Sequence, residues 1–297
     1  MRLADVLAEL AAVGLLAVAL PAFALEPAKI TVAGVERSYY FAMPQHLRKP
    51  APLLIALHGP VGTGSGMATF SKFAGLADEK GFIAVFPDGL DQRWNDGRAA
   101  NSPADDVAFI DALIGVFVAR KDADPRRVYV TGMANGGMMG FRLACELPKR
   151  IAAIAVVAAS LPRALEQACS NGPPLAVMII DGTADPMMPW AGGEPVGDHG
   201  AVLSATATAQ LFALRIGGPV EAIEPLPSFA NADPTRVKRH RWRTGSGPEV
   251  VLYEVEGGGH AWPGGPQYLP ESAIGRVSRQ IDASREVAEF LLRFRLP

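Results

Sequence analysis

The segment Val128-Tyr129-Val130-Thr131-Gly132-Met133-Ala134-Asn135-Gly136-Gly137 has the form of a strand, a sharp turn and a helix start, with glycines two residues either side of Ala134. This is the spacing of the G-x-S-x-G turn, which lifts a nucleophilic serine above a sheet. The glycines fit because strand and helix approach closely there, and the N–H of Asn135 at the helix start can stabilise an oxyanion. Ala134 has no hydroxyl, so the chain carries a setting for acyl transfer without the attacking group. Taken alone, the same residues also suit a plain glycine-rich turn.

Downstream residues favour the chemical reading. Where a nucleophile stands on such a turn, an acid and then a histidine follow along the chain. The apolar run Leu175 to Ile180 leads into Asp181-Gly182-Thr183-Ala184-Asp185-Pro186, with Asp185 expected as the orienting acid. Asp181 is the competitor, expected instead to support the turn at the strand end. The run Val250 to Val255 leads into a loop in which Gly257, Gly258, Gly259 and Trp262 frame His260, the expected base. His199 falls in a Gly/Pro-rich loop and His240 inside a predicted strand, so neither has the strand-end setting of a base.

Upstream, His58-Gly59 closes a buried run and matches the loop that offers a second oxyanion N–H. Pro60 stands where that donor is expected, and proline has no N–H. Val61 or Gly62 is the expected substitute if the loop is shifted, and His58 is expected to support the loop from beneath. Trp94, Trp190 and Trp262 lie in three loops expected to converge as aromatic walls of a pocket, although each also suits packing within its own loop. Phe70, Met133, Met138 and Met139 are expected as core or pocket floor.

The elements that must position these residues alternate along the chain. An antiparallel pair is predicted at residues 29–33 and 37–43, with later strands at 52–57, 82–86, 128–131, 151–158, 175–180, 237–243 and 250–255. Helices are predicted at 71–80, 105–119, 135–146, 204–216 and 279–294; in the second of these Val107, Ile110, Leu113, Ile114 and Phe117 recur at helical spacing. The stretches 190–200 and 217–234 are expected as loops. The succession predicts an α/β fold, a mostly parallel sheet with helices on both faces, in a single domain over residues 25–297.

Composition narrows the function classes. With 49% hydrophobic residues and a formal net charge of -2, a chain of 297 residues can bury a sizeable core and has no basic face for nucleic acid or a membrane surface. Ala11 to Leu20 is an apolar run followed by Ala22-Phe23-Ala24. It is too short to span a bilayer and has the form of a secretory leader over residues 1–24, although Asp5 and Glu9 offset Arg2. An N-terminal helix of the fold is the alternative. The chain has two cysteines, Cys145 and Cys169; export permits a bridge, and two buried thiols remain open. Neither lies in a C-x-x-C pair, and no metal site or cofactor motif is readable.

Taken together, the chain resembles secreted polyhydroxybutyrate-depolymerase-like and feruloyl-esterase-like proteins of the α/β-hydrolase fold. The pieces that carry the resemblance are Leu57-His58-Gly59, Phe86-Pro87-Asp88-Gly89, Trp94-Asn95-Asp96-Gly97-Arg98, Asp105-Asp106-Val107, the turn at Ala134, Gly182-Thr183-Ala184-Asp185-Pro186 and Gly259-His260-Ala261-Trp262-Pro263. The resemblance implies a Ser-His-Asp site acting on a small or oligomeric carboxylic ester, with Ala134 at the nucleophile position, Asp185 as acid and His260 as base. It also implies a Cys145–Cys169 bridge. Losing the nucleophile of such a triad costs on the order of a million-fold in kcat, so negligible turnover is expected. An introduced serine-to-alanine change and a naturally inactive, ligand-binding relative both fit; Pro60 favours the second.

Overall fold

The computed structural model describes residues 25–98, 103–197, 200–219 and 221–297, so the expected leader and His199 lie outside the described residues. Its strands are β1 (Glu26–Val32), β2 (Val35–Ala42), β3 (Ala51–Leu57), β4 (Ile83–Pro87), β5 (Ala123–Met133), β6 (Ala153–Val157), β7 (Ala176–Gly182), β8 (Ala222–Pro225), β9 (Arg236–Arg243) and β10 (Glu249–Glu256). They form one sheet in the order β1-β2-β4-β3-β5-β6-β7-β10-β9-β8. The central run from β4 to β10 is parallel, and antiparallel strands close both edges.

Among the described residues, eight α-helices lie between or after these strands: α1 (Gly64–Ser71), α2 (Phe73–Lys80), α3 (Asp106–Ala119), α4 (Asn135–Glu146), α5 (Glu166–Ser170), α6 (Ala205–Arg215), α7 (Glu271–Ile274) and α8 (Ala283–Leu291). The central strands are buried on both faces, which is why they appear in the sequence as continuous apolar runs. Along β3, Leu53, Ile55 and Leu57 face the core beneath α3, α4 and α6, while Leu54 and Ala56 face the core beneath α1, α2 and α8. A period of two thus feeds two separate helix layers. Among the described residues no helix is long and apolar enough to cross a membrane.

The short helices α5 and α7 were not expected, and three predicted segments differ in the structure. The helix expected at 71–80 is two helices, broken at Lys72 in the left-handed conformation (φ 57°), and the first begins at Gly64. That start is hidden in the sequence because Gly64-Ser65-Gly66 is poor helix material; Thr63 caps it by accepting from the Gly66 N–H, and Asp88 holds the Gly64 N–H. The stretch 217–234 contains the edge strand β8, whose Pro225 masks it. The last helix is confined to 283–291, because Ser278, Arg279 and Gln280 are held in extended contacts with Thr235, Asp233 and Ala230.

Cys145, at the end of α4, and Cys169, in α5, form a disulfide with Cα atoms 4.9 Å apart. The bridge closes a loop of sequence separation 24, and loop-closure entropy of that size corresponds to about 3 kcal/mol of stability. The double variant Cys145→Ala/Cys169→Ala is therefore expected to lose about 3 kcal/mol in urea unfolding. A loss under about 1 kcal/mol would show that packing, and not the crosslink, holds α5 in place.

Candidate active site

β5 passes directly into α4 through Ala134, whose backbone sits at φ 52°, ψ -120°. A non-glycine residue there carries strain on the order of 1–3 kcal/mol, a state that persists only where surroundings enforce it. Close approach enforces it here. A Cβ on Gly132 would lie 2.5 Å from the Gly136 carbonyl, and one on Gly136 would lie 2.4 Å from the His58 carbonyl. Strand, helix and the loop after β3 therefore touch backbone to backbone, and the tip residue projects from the sheet end.

Asn135 opens α4 and is buried. Its side chain accepts from the Trp94 N–H (2.7 Å) and donates to the Trp94 carbonyl (3.0 Å) and to Asp96 (2.7 Å). The carboxamide thus fixes the neighbouring loop, while its backbone N–H, at the first helical position, has no acceptor within the helix. That N–H lies beside Ala134 and carries the positive end of the helix dipole.

The loop after β3 is braced by His58. Its Nε2 accepts from the Gly89 N–H (3.0 Å), which leaves the proton on Nδ1 to donate to the Gly59 carbonyl (2.7 Å). Burial pushes this imidazole down from its ordinary pKa, so it is a neutral strut. The loop itself turns tightly: the Gly62 N–H donates to the Gly59 carbonyl (3.1 Å) and the Val61 N–H to the Gln92 carbonyl (3.0 Å). Both candidate substitutes for the missing Pro60 donor are thereby committed to backbone acceptors. The expectation that Val61 supplies an oxyanion N–H does not hold in this arrangement.

Asp185 follows β7 and His260 follows β10, adjacent parallel strands that bring the two loops together. Asp185 Oδ2 accepts from His260 Nδ1 at 2.8 Å, and its Oδ1 accepts the N–H groups of Met187 (2.7 Å) and Met188 (2.8 Å). Both carboxylate oxygens are occupied, so the orientation is fixed. His260 is held on its main chain as well, by the Ile274 carbonyl at 2.6 Å and the Tyr268 hydroxyl at 2.8 Å. With the proton on Nδ1, Nε2 keeps its lone pair, and the ring opens into a cavity of about 460 Å³ that Ala134 also lines.

Asp181, inside β7, is turned toward the loop after β6. It is buried and accepts from the Ala159 N–H at 3.0 Å. Burial pushes its carboxyl up to about 8, the nearby Asp185 charge acting in the same direction. In the unfolded chain the group ionises near 3.8, so between about 4 and about 8 the unfolded state has lost a proton that the folded state keeps. Stability falls as pH rises through that window. Asp181→Asn removes the ionisation, so the gap in Tm between variant and parent should widen in the variant's favour from pH 4 to pH 8 and then level. A gap that stays constant with pH would contradict the neutral carboxyl.

The aromatic walls are not the expected ones. Trp94 is fully buried beneath the His58 loop, with Nε1 donating to the His58 carbonyl. Trp262 is buried between Phe70 and Phe73 and donates to Ser284. Trp190 packs against the core beneath α4 and α6. None lines the cavity; its walls are Met67, Phe70, Met133 and Met187, with Val61, Tyr268 and Leu269 at its mouth. Those three are 74%, 40% and 48% exposed, an apolar rim where solvent meets the cavity. Of the residues expected as core or floor, Phe70 and Met133 line the cavity, whereas Met138 and Met139 are core. Tyr268 and Leu269 carried no signal in the sequence, since they sit in an irregular loop whose path only the fold defines. Among the described residues no group of three acidic, histidine or cysteine side chains is placed to hold a metal.

Residues 37–191 match the family described as Esterase PHB depolymerase. A putative esterase of Nocardia uniformis is 31% identical over 89% of this chain and 81% of its own length. The chain belongs to this esterase family. A feruloyl esterase B of Piromyces equi is 33% identical over 49% of this chain, which spans only 28% of that larger protein. Among solved structures, an acetyl xylan esterase from Aspergillus awamori covers 79% of the chain and 94% of its own, at TM-score 0.56 and 19% identity. A thermostable esterase covers 92% of the chain and 63% of its own at TM-score 0.54 and 13% identity. At those identities the likeness concerns the fold, which is that of the α/β-hydrolases.

Proposed function

We propose that the turn at Ala134 is the nucleophile elbow of a carboxylic-ester hydrolase site, with Asp185 orienting His260, His260 as general base, and alanine in the nucleophile's place. The observation that carries this reading is the strained tip at Ala134 opening onto the same cavity as a histidine whose Nδ1 is bonded to Asp185. The Asn135 N–H is the oxyanion donor. The apolar mouth suits the acyl part of a hydroxyalkanoate oligoester or a feruloyl-type ester, in keeping with the relatives. The leader pattern at residues 1–24 and the disulfide support secretion.

As written the chain lacks a covalent route, and turnover is negligible. A second reading follows from a separate observation: Pro60 has no N–H, and Val61 and Gly62 have spent theirs, while Asp185 and His260 remain in place. Two losses of catalytic equipment beside an intact pocket favour a protein that holds its ligand without turning it over. Side-by-side hydrolysis of p-nitrophenyl butyrate by the chain and by Ala134→Ser tests the site. Activity confined to the variant supports it, and no activity in either Ala134→Ser or Ala134→Ser/Pro60→Gly overturns it.

A further inference from the structure

Two hydrogen-bonding groups adjoin the Ala134 tip. One is the Asn135 N–H at the start of the 12-residue helix α4, where the dipole favours an anion. The other is His260, 6% exposed, whose Nε2 has no hydrogen-bond partner among the described residues. With alanine at the tip, no side-chain oxygen answers Nε2. An uncharged ester carbonyl would find a single N–H here, because the Val61 and Gly62 donors are committed to backbone carbonyls. A carboxylate has two oxygens and would find a donor for each.

We propose that this site binds the carboxylate of a free monocarboxylic acid with an apolar tail, one oxygen on the Asn135 N–H and the other on protonated Nε2 of His260. The proposal rests on the second reading above and names its ligand. The tail lies along Met67, Phe70, Met133 and Met187, in a cavity of about 460 Å³. That falls within the range of about 300–1,000 Å³ usual for small-molecule pockets.

Charge accounting explains why the imidazole is protonated in the complex. A second carboxylate placed beside the Asp185 charge is repelled unless a positive charge lies between them. The other groups facing the site do not supply one. His58 has both ring nitrogens engaged and is held neutral by burial, and the Tyr268 phenol is pushed up to about 12 by burial. Asp181, pushed up to about 8, is uncharged at neutral pH. From α7, Glu271 is paired with Arg276 at 2.9 Å on the exposed side. Of the groups facing the site, His260 alone is left to carry the charge that answers the bound acid. Hydrogen bonds to charged partners are about twice as strong as neutral ones, which favours the acid over its uncharged analogues.

Calorimetric titration of the full chain with 3-phenylpropanoate, its methyl ester and its amide tests this. The acid is expected to saturate one site at least about tenfold more tightly than either analogue, a margin of about 1.4 kcal/mol. In buffers of different ionisation enthalpy at pH 8, close to one proton should be taken up per acid. His260→Ala, checked for an unchanged thermal transition, should abolish both the preference and the proton uptake, so that acid and ester bind alike. Equal binding of acid and ester, no binding of the acid, or an acid preference that survives His260→Ala would each overturn the proposal. If Ala134→Ser hydrolyses esters while any of these results holds, the carboxylate assignment alone falls. If neither Ala134→Ser nor Ala134→Ser/Pro60→Gly turns over, the site reading beneath it falls too.

Discussion

Ala134→Ser is expected to raise kcat for p-nitrophenyl butyrate by on the order of a thousand- to ten-thousand-fold over the unaltered chain. The size follows from two terms. Restoring a nucleophile to an intact triad regains on the order of a million-fold. One missing oxyanion donor withholds on the order of a hundred- to a thousand-fold of it, and here the second donor is absent because Pro60 has no N–H and its neighbours are bonded elsewhere. The hydroxyl needs no remodelling of the turn, since Ala134 already holds the strained φ and ψ of the tip. Adding Pro60→Gly should return roughly a further hundred-fold by supplying the N–H. A gain from Ala134→Ser alone near a million-fold would show that a second donor is already present.

In the Ala134→Ser background, Asp185→Asn is expected to lower kcat about ten-thousand-fold with little effect on stability. The geometry dictates the direction. Oδ1 of Asp185 accepts from Met187 and Met188, so an asparagine must keep its oxygen there and turn its NH2 toward His260. That NH2 donates where the carboxylate accepted, which forces the ring proton from Nδ1 to Nε2. A histidine in that tautomer cannot accept the nucleophile's proton. The unchanged thermal transition separates this from unfolding, and a loss under about tenfold in kcat would mean that Asp185 does not set the tautomer.

Much of the candidate site's local geometry was legible in the sequence because its constraints are local. Gly132 and Gly136 mark a turn where any Cβ would collide with backbone, and Asp185 and His260 each follow an apolar strand in the chain order such a turn demands. What the sequence hid depends on partners far along the chain. The Val61 N–H looked free until the fold set it against the Gln92 carbonyl. Trp94 and Trp262, in glycine-rich loops, resembled pocket walls; both have their indole N–H satisfied inside, by His58 and Ser284, and so bury completely. The cavity instead uses Phe70 and Met67 from α1, a helix that its opening Gly64-Ser65-Gly66 disguises as loop. Tyr268 braces His260 from a segment with no periodicity at all.

The central claim is that position 134 is the nucleophile site, facing a working Asp185–His260 pair. Intact-protein mass spectrometry after incubation with a fluorophosphonate tests it most directly, since labelling needs an activated nucleophile and no particular ester. Ala134→Ser should gain one phosphonyl adduct, mapped by peptide fragmentation to position 134, and should lose it when His260→Ala is added; the unaltered chain should gain none. An unlabelled Ala134→Ser protein, or an adduct mapping elsewhere, would contradict the account.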